Sequence, residues 1–135
     1  PGGKTRFGVT EAVARATGYV GDMRELPLSL AKTIYRSQYW DAVRGDELPD
    51  GVRYYVFDAS AASGVRQSVL WLQRALGVAA DGVLGPVTIA AAHAANPDKL
   101  KARLLSQRLR FMASLSNWPS FSRGWSRRVA DLLEA

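Results

Sequence analysis

Tyr35, Tyr39 and Trp40, in the stretch YRSQYWD, are the first residues of this chain whose type and spacing suggest ligand chemistry. Each ring offers a flat apolar face with a hydrogen-bond donor at its edge, which suits a sugar: its C–H faces pack on the ring and its hydroxyls meet the donor. Tyr35 and Tyr39 lie one helical turn apart and share a face, so one can be buried while the other lines a cleft. Core packing competes for Trp40 as well. A second mixed group, Trp118, Phe121 and Trp125 with Arg123, Arg127 and Arg128, could grip a ligand that combines sugars with acidic groups. Burial of Trp125 in the core is the competing expectation.

Among the 12 acids, no pair gains priority from its spacing. Asp46, Glu47 and Asp50 cluster around Pro49 in what reads as an exposed loop and helix start, and Glu11 follows Thr10 in a first turn; acids there complement the helix dipole. Asp58 is different, because it falls inside an apolar helix pattern where an unpaired carboxylate is costly. Arg53 or Arg66 is the expected partner, and a hydrogen bond joining helices competes with a role beside a cleft. His93 is the single histidine and lies in an alanine-rich stretch without an acid at ligand spacing, and cysteine is absent. No metal site, disulfide framework or cofactor is expected.

The elements that must position these residues read as helices separated by short turns. Thr10 is an N-cap for a short helix ending near Gly18, and Pro27 or Ser29 begins a second running to about Asp41. A third follows Pro49, with Val52, Tyr55, Val56 and Ala59 at helical spacing and small residues up to Gly64 for close packing. Further helices are expected over 65–76, 86–95, 97–116 and 121–133, with breaks at Asn96–Pro97 and at Asn117–Trp118–Pro119. Lys4 to Thr10 is the exception: it alternates loosely and reads as one strand of a small hairpin with Gly2 and Gly3 in its turn. The fold class is therefore all-α with at most a small β-hairpin near the N-terminus.

With 135 residues and 47% hydrophobic residues, the chain is long enough for one compact domain and too short for two comfortable ones. No apolar run is long enough to cross a bilayer. The net charge of +6 is concentrated between Lys99 and Arg128, where there are no acids. Lys99, Lys101, Arg103, Arg108 and Arg110 either attract a polyanion or form the solvated face opposite Leu100, Leu104, Leu105, Leu109 and Met112.

The stretch from Trp71 to Ala92, WLQRALGVAADGVLGPVTIAAA, carries the most specific pattern. Gly77 suits the left-handed position that ends a helix, Gly82 and Gly85 permit tight turns, and Pro86 opens the next helix. Its LQ, LG, DG, GP and T in this order and spacing resemble the helix-turn-helix of peptidoglycan-binding domains. PGGKTRFGVT at the start, YRSQYWD, LPDGVRYYVFDASAASG from Leu48 to Gly64, and the terminal FSRGWSRRV extend the likeness over nearly the whole chain. Together they resemble the glycoside hydrolase family 108 lysozymes with an appended predicted peptidoglycan domain. One pattern is missing: the family's catalytic glutamate stands in a Glu-Gly-Gly-Tyr element before Pro-Gly-Gly, and this sequence starts at Pro1, Gly2 and Gly3.

The resemblance implies a lysozyme-like fold, with residues 1–64 forming a glycoside hydrolase region that lacks its first helix. Residues 65–135 would form a helical peptidoglycan-domain-like region packed into one compact unit with it. It implies a parent N-acetylmuramidase that cleaves the β-1,4 bond between N-acetylmuramic acid and N-acetylglucosamine, with the acid lying before Pro1 and this chain alone inactive. Thr5 falls where the family's threonine stands and would hold the attacking water; a strand threonine satisfied by a neighbouring backbone group is the other reading. Phe7, Tyr35, Tyr39, Trp40, Asp58 and Trp118 are the residues expected to contact substrate. Ala61 and Ala62 replace the family's asparagine shortly after Phe57 and Asp58, which weakens the case for sugar contact at that edge. Gln73, Asp81 and Thr88 are expected to support the turn rather than a ligand. The expected partner is the peptidoglycan glycan strand, met by a monomer in the bacterial periplasm or cell wall after secretion or phage-borne lysis. Nucleic acid is not expected. The alternative is a noncatalytic peptidoglycan-binding module.

Overall fold

A computed structural model describes residues 4–115 and 118–134, the side chains of Trp118 and Phe121 excepted. The chain is mainly helical, with one small antiparallel sheet among the described residues. Strands β1 (Thr5–Arg6) and β2 (Val9–Thr10) pair Thr5 with Thr10 and Arg6 with Val9. Lys4 to Thr10 thus supplies both strands of the hairpin, where the alternation suggested one. The turn is Phe7–Gly8, not Gly2 and Gly3, which lie outside the described residues. Both turn residues have positive φ, 53° and 79°, the geometry of a two-residue hairpin turn.

Thr10 caps α1 (Glu11–Ala16), its hydroxyl accepting from the Val13 N–H. After a 3-10 turn at Met23–Glu25, α2 (Leu28–Tyr35) runs into a π-helical turn, Arg36–Trp40, closed by the Asp41 N–H on the Arg36 carbonyl at 2.8 Å. A 3-10 turn at Gly45–Glu47 leads to α3 (Asp50–Ser63), then α4 (Val65–Leu76), α5 (Pro86–Ala94), α6 (Pro97–Ser114) and α7 (Trp118–Glu134). Asn96 caps α6 through the Lys99 N–H, and Gly77 ends α4 at φ 73°.

A small apolar cluster of Val9, Ala14, Met23, Leu26, Ala31 and Ile34 holds the hairpin against α1 and α2. A larger one runs from Val43 and Leu48 through α3, α4, α5 and α6 to Leu132, and so continues across Gly64. Within it, Val69, Leu72 and Ala75 form the inward stripe of α4. The Ser68 hydroxyl donates to the Val56 carbonyl at 2.7 Å, a close approach that the small residues at this crossing allow.

The DGVLGP turn between α4 and α5 is organised by one buried amide. Gln73 Oε1 accepts from the Gly82 N–H at 2.9 Å, and Nε2 faces Asp81 Oδ1 (2.9 Å), the Val83 carbonyl (3.0 Å) and Thr88 Oγ1 (3.2 Å). Asp81 Oδ1 also takes the Val83 N–H, an Asx turn. All three polar signature residues meet in this one network.

Asp58 and Arg108 form a buried ion pair between α3 and α6 at 3.0 Å, with side chains 5% and 2% exposed. Arg128 of α7 reaches the other oxygen of the carboxylate, and the Arg108 guanidinium lies 4.7 Å from the Trp125 ring centroid. Neither expected partner of Asp58 is used: Arg53 donates to the Leu48 carbonyl and pairs with Asp50, and Arg66 donates to the Asp81 carbonyl. The inward face of α6 also turns further than its leucines suggested, because Arg108 is inside while Leu109 is 40% exposed. Burial lowers the Arg108 pKa to about 10, still well above neutrality, so the group stays a cation opposite Asp58.

Breaking a buried pair strands the remaining charge. Asp58→Ala is expected to cost about 3–5 kcal/mol in denaturant-induced unfolding, with the Asp58→Leu/Arg108→Met double variant recovering most of it. Equal losses in the single and double variants would disprove the coupling.

Candidate functional site

An open groove of about 460 Å³ lies beside the π turn, lined by Lys32, Tyr35, Arg36, Trp40 and Phe57. The first four come from α2 and its π-helical continuation, and Phe57 comes from α3. Lys32, Arg36 and Trp40 recur every four residues and share the groove side, a helical spacing that the sequence itself carries.

Trp40 is held on three sides. Its ring stands edge-on to Phe57 with centroids 5.4 Å apart, and its indole N–H donates to Asp46 Oδ1 at 3.0 Å. Its third side rests on Gly45, where an added Cβ would come within 2.5 Å of the indole. The other Asp46 oxygen accepts from Arg36 at 2.8 Å, so one carboxylate orients two groove residues. Sequence reasoning missed Gly45 and Asp46, since nothing in their spacing signals that the chain doubles back under Trp40.

Tyr35 and Tyr39 pack at 5.4 Å between ring centroids, both half-buried. Only Tyr35 lines the groove, and it carries the hairpin: a Cβ on Gly8 would sit 2.2 Å from its hydroxyl oxygen. The hairpin turn thus lies against one wall of the groove. On that turn Phe7 is 43% exposed with the Arg6 guanidinium 4.4 Å from its ring centroid, and Arg6 Nε anchors the strand on the Leu26 carbonyl at 3.0 Å. Its positive φ is unusual for an aromatic residue. Thr5 is exposed on β1.

Asp58 sits apart from these residues, buried in the ion pair between the helices although Phe57 beside it faces the groove. The Trp118 side chain lies outside the described residues. His93 approaches the Glu47 carbonyl at 2.7 Å and ties α5 to the turn that carries Asp46.

Three carboxylates are held below their ordinary range. Asp22 is lowered by the Arg24 side chain, Glu47 by the Arg44 side chain, and Asp81 first by the Val83 N–H and then by Gln73. A general acid needs the opposite shift.

The glycosyl hydrolase 108 model matches residues 1–64 and the predicted peptidoglycan domain matches residues 67–130. The chain belongs to the glycosyl hydrolase 108 family, with a peptidoglycan domain following. It is similar to a solved structure of SagA from Brucella abortus at 35% identity and a TM-score of 0.86, over 98% of this chain and 78% of that one. No curated protein matches it.

Two outcomes are expected. Asp46→Ala should shift the Trp40 indole N–H resonance in an NMR spectrum towards that of a solvent-exposed indole, and Gly45→Ala should move it too by displacing the ring. An unchanged resonance in both variants would mean that Trp40 is seated otherwise. The lowered carboxylates contribute stability that is fully present above the unfolded pKa of about 4 and is lost as pH falls through their folded values. The melting temperature should therefore fall below about pH 4, and Asp81→Asn should flatten part of that slope.

Proposed function

We propose that the parent protein is an N-acetylmuramidase acting on bacterial cell-wall peptidoglycan. It would cleave the β-1,4 bond between N-acetylmuramic acid and N-acetylglucosamine. In this reading residues 1–64 belong to the lysozyme-like region and residues 65–135 to the wall-binding region packed against it. The groove of Tyr35, Trp40 and Phe57 with Lys32 and Arg36 on its rim, in a chain of this family, is the observation that carries the reading. Flat rings serve the apolar faces of sugars, and the basic side chains suit the lactyl carboxylate of muramic acid residues that carry no stem peptide.

The acid that protonates the glycosidic oxygen is assigned to a glutamate preceding Pro1, facing the hairpin. Glycoside hydrolysis needs a carboxyl group kept protonated by an apolar site, and the aromatic groove is lined by Lys32, Tyr35, Arg36, Trp40 and Phe57 with no carboxylate among them. Thr5, exposed on β1, would hold the attacking water through its hydroxyl, with Phe7 and Tyr39 extending the sugar platform. Asp58 serves this site indirectly, by fixing the helix that carries Phe57. For these residues taken alone the second reading is a noncatalytic peptidoglycan-binding module, favoured by the match of residues 67–130 to the predicted peptidoglycan domain.

Clearing of purified peptidoglycan separates the readings. A form extended upstream to include the glutamate should clear the wall and leave new reducing ends on muramic acid, identified by borohydride reduction and mass spectrometry. The 135-residue chain should bind without clearing. In the longer form Thr5→Val should lower the rate roughly 10- to 100-fold, as expected for a misplaced water, while Thr5→Ser retains most of it. Clearing by the short chain would overturn the placement of the acid. Binding without cleavage by both forms would establish the module reading.

A further inference from the structure

A second groove lies along α6 and shares no lining residue with the aromatic one. One depression of about 350 Å³ is lined by Lys99 and Arg103 over Leu76, Ala91 and Ala95, and another of about 450 Å³ by Arg74, Arg103 and Arg110 over Ala102. Both include Ala75 and Arg103, so they adjoin as two halves of a furrow between α4, the end of α5 and α6, with Arg103 bridging to the Ala75 carbonyl at their junction.

We propose that this furrow docks the carboxylate-bearing stem peptide of peptidoglycan, separately from the aromatic groove that takes the glycan. The inference rests on the wall-directed reading above and adds a second ligand chemistry to it. Its floor is largely alanine, which leaves room for a backbone with small side chains but offers nothing for a sugar face or a base to stack on. No acid lines either depression, and Arg74, Lys99 and Arg110 have no ion-pair partner among the described residues. Arg103 alone is tethered, donating to the Ala75 carbonyl at 3.3 Å, which leaves its charge over the furrow.

Spacing supports an extended peptide. Lys99, Arg103 and Arg110 lie on one face of α6, and a rise of 1.5 Å per residue separates the first and last by about 16 Å. An extended chain covers that distance in roughly five residues. Fixed cations at both ends and the middle match a short peptide carrying several carboxylates, whereas a phosphate polymer has no use for the alanine floor between them.

The test is an NMR titration of the 135-residue chain with a synthetic stem peptide bearing free carboxylates. The same peptide with its carboxylates amidated, and inorganic polyphosphate, serve as comparisons. The free peptide should move the backbone amides of Arg74, Ala75, Lys99, Arg103 and Arg110, and the amidated one should not. The exposed double variant Lys99→Glu/Arg110→Glu should bind roughly tenfold or more weakly while its other amides keep their positions. Shifts confined elsewhere, unchanged binding by the double variant, or binding of polyphosphate in place of the peptide would each overturn the proposal. The readout is binding, so failure here leaves the cleavage reading to stand or fall on wall clearing by the longer form.

Discussion

A carboxylate inside a helical core has to be neutralised by neighbours, and Asp58 obtains them from two other helices. Arg108 of α6 and Arg128 of α7 converge on it from opposite oxygens, and Trp125 covers the guanidinium of the first. Tyr55, one turn earlier on α3, donates to the Leu132 carbonyl and adds a second polar link to α7. Apolar contacts supply most of the driving force for bringing these helices together, but they tolerate sliding. A charged pair with a fixed donor geometry does not, so this junction sets how α3 sits.

The position of α3 in turn sets the groove. Phe57 adjoins Asp58 in sequence and faces the other way, so the residue that locks the helix and the residue that lines the groove share one stretch of backbone. Across from it, the π turn carries Arg36 and Trp40, and the Gly45–Glu47 turn folds beneath them so that Asp46 can hold both. Ring, carboxylate and glycine contacts hold Trp40 in one setting, so this wall of the groove is rigid before anything touches it.

Local physics was readable in the sequence, and long-range pairing was not. Thr10 caps the helix that its side chain suggested, the break at Asn96–Pro97 falls where α6 begins, Gly77 ends α4 in the left-handed region, and the bounds of α4 follow from its apolar period. Tyr35 and Trp40 line one groove, while Gly45 and Asp46 are recognisable only from the fold of the chain under Trp40. The arginine opposite Asp58 lies 50 residues away, beyond anything helical spacing can address. The hairpin turn was misplaced because a Phe at positive φ runs against local preference. It is held there by strand pairing and by Tyr35 against Gly8.

The Gln73 network has a consequence for what can be written at that position. Its oxygen meets a donor and its nitrogen meets three acceptors, so the turn discriminates between the two ends of a single amide. A glutamate would fill the same volume and still fail, offering lone pairs where protons are required. The Gln, Asp-Gly and Thr of this segment therefore spell a polarity pattern more than a shape. The exchange of a single heavy atom and its two protons, NH2 for O, separates a segment that closes its turn from one that repels it.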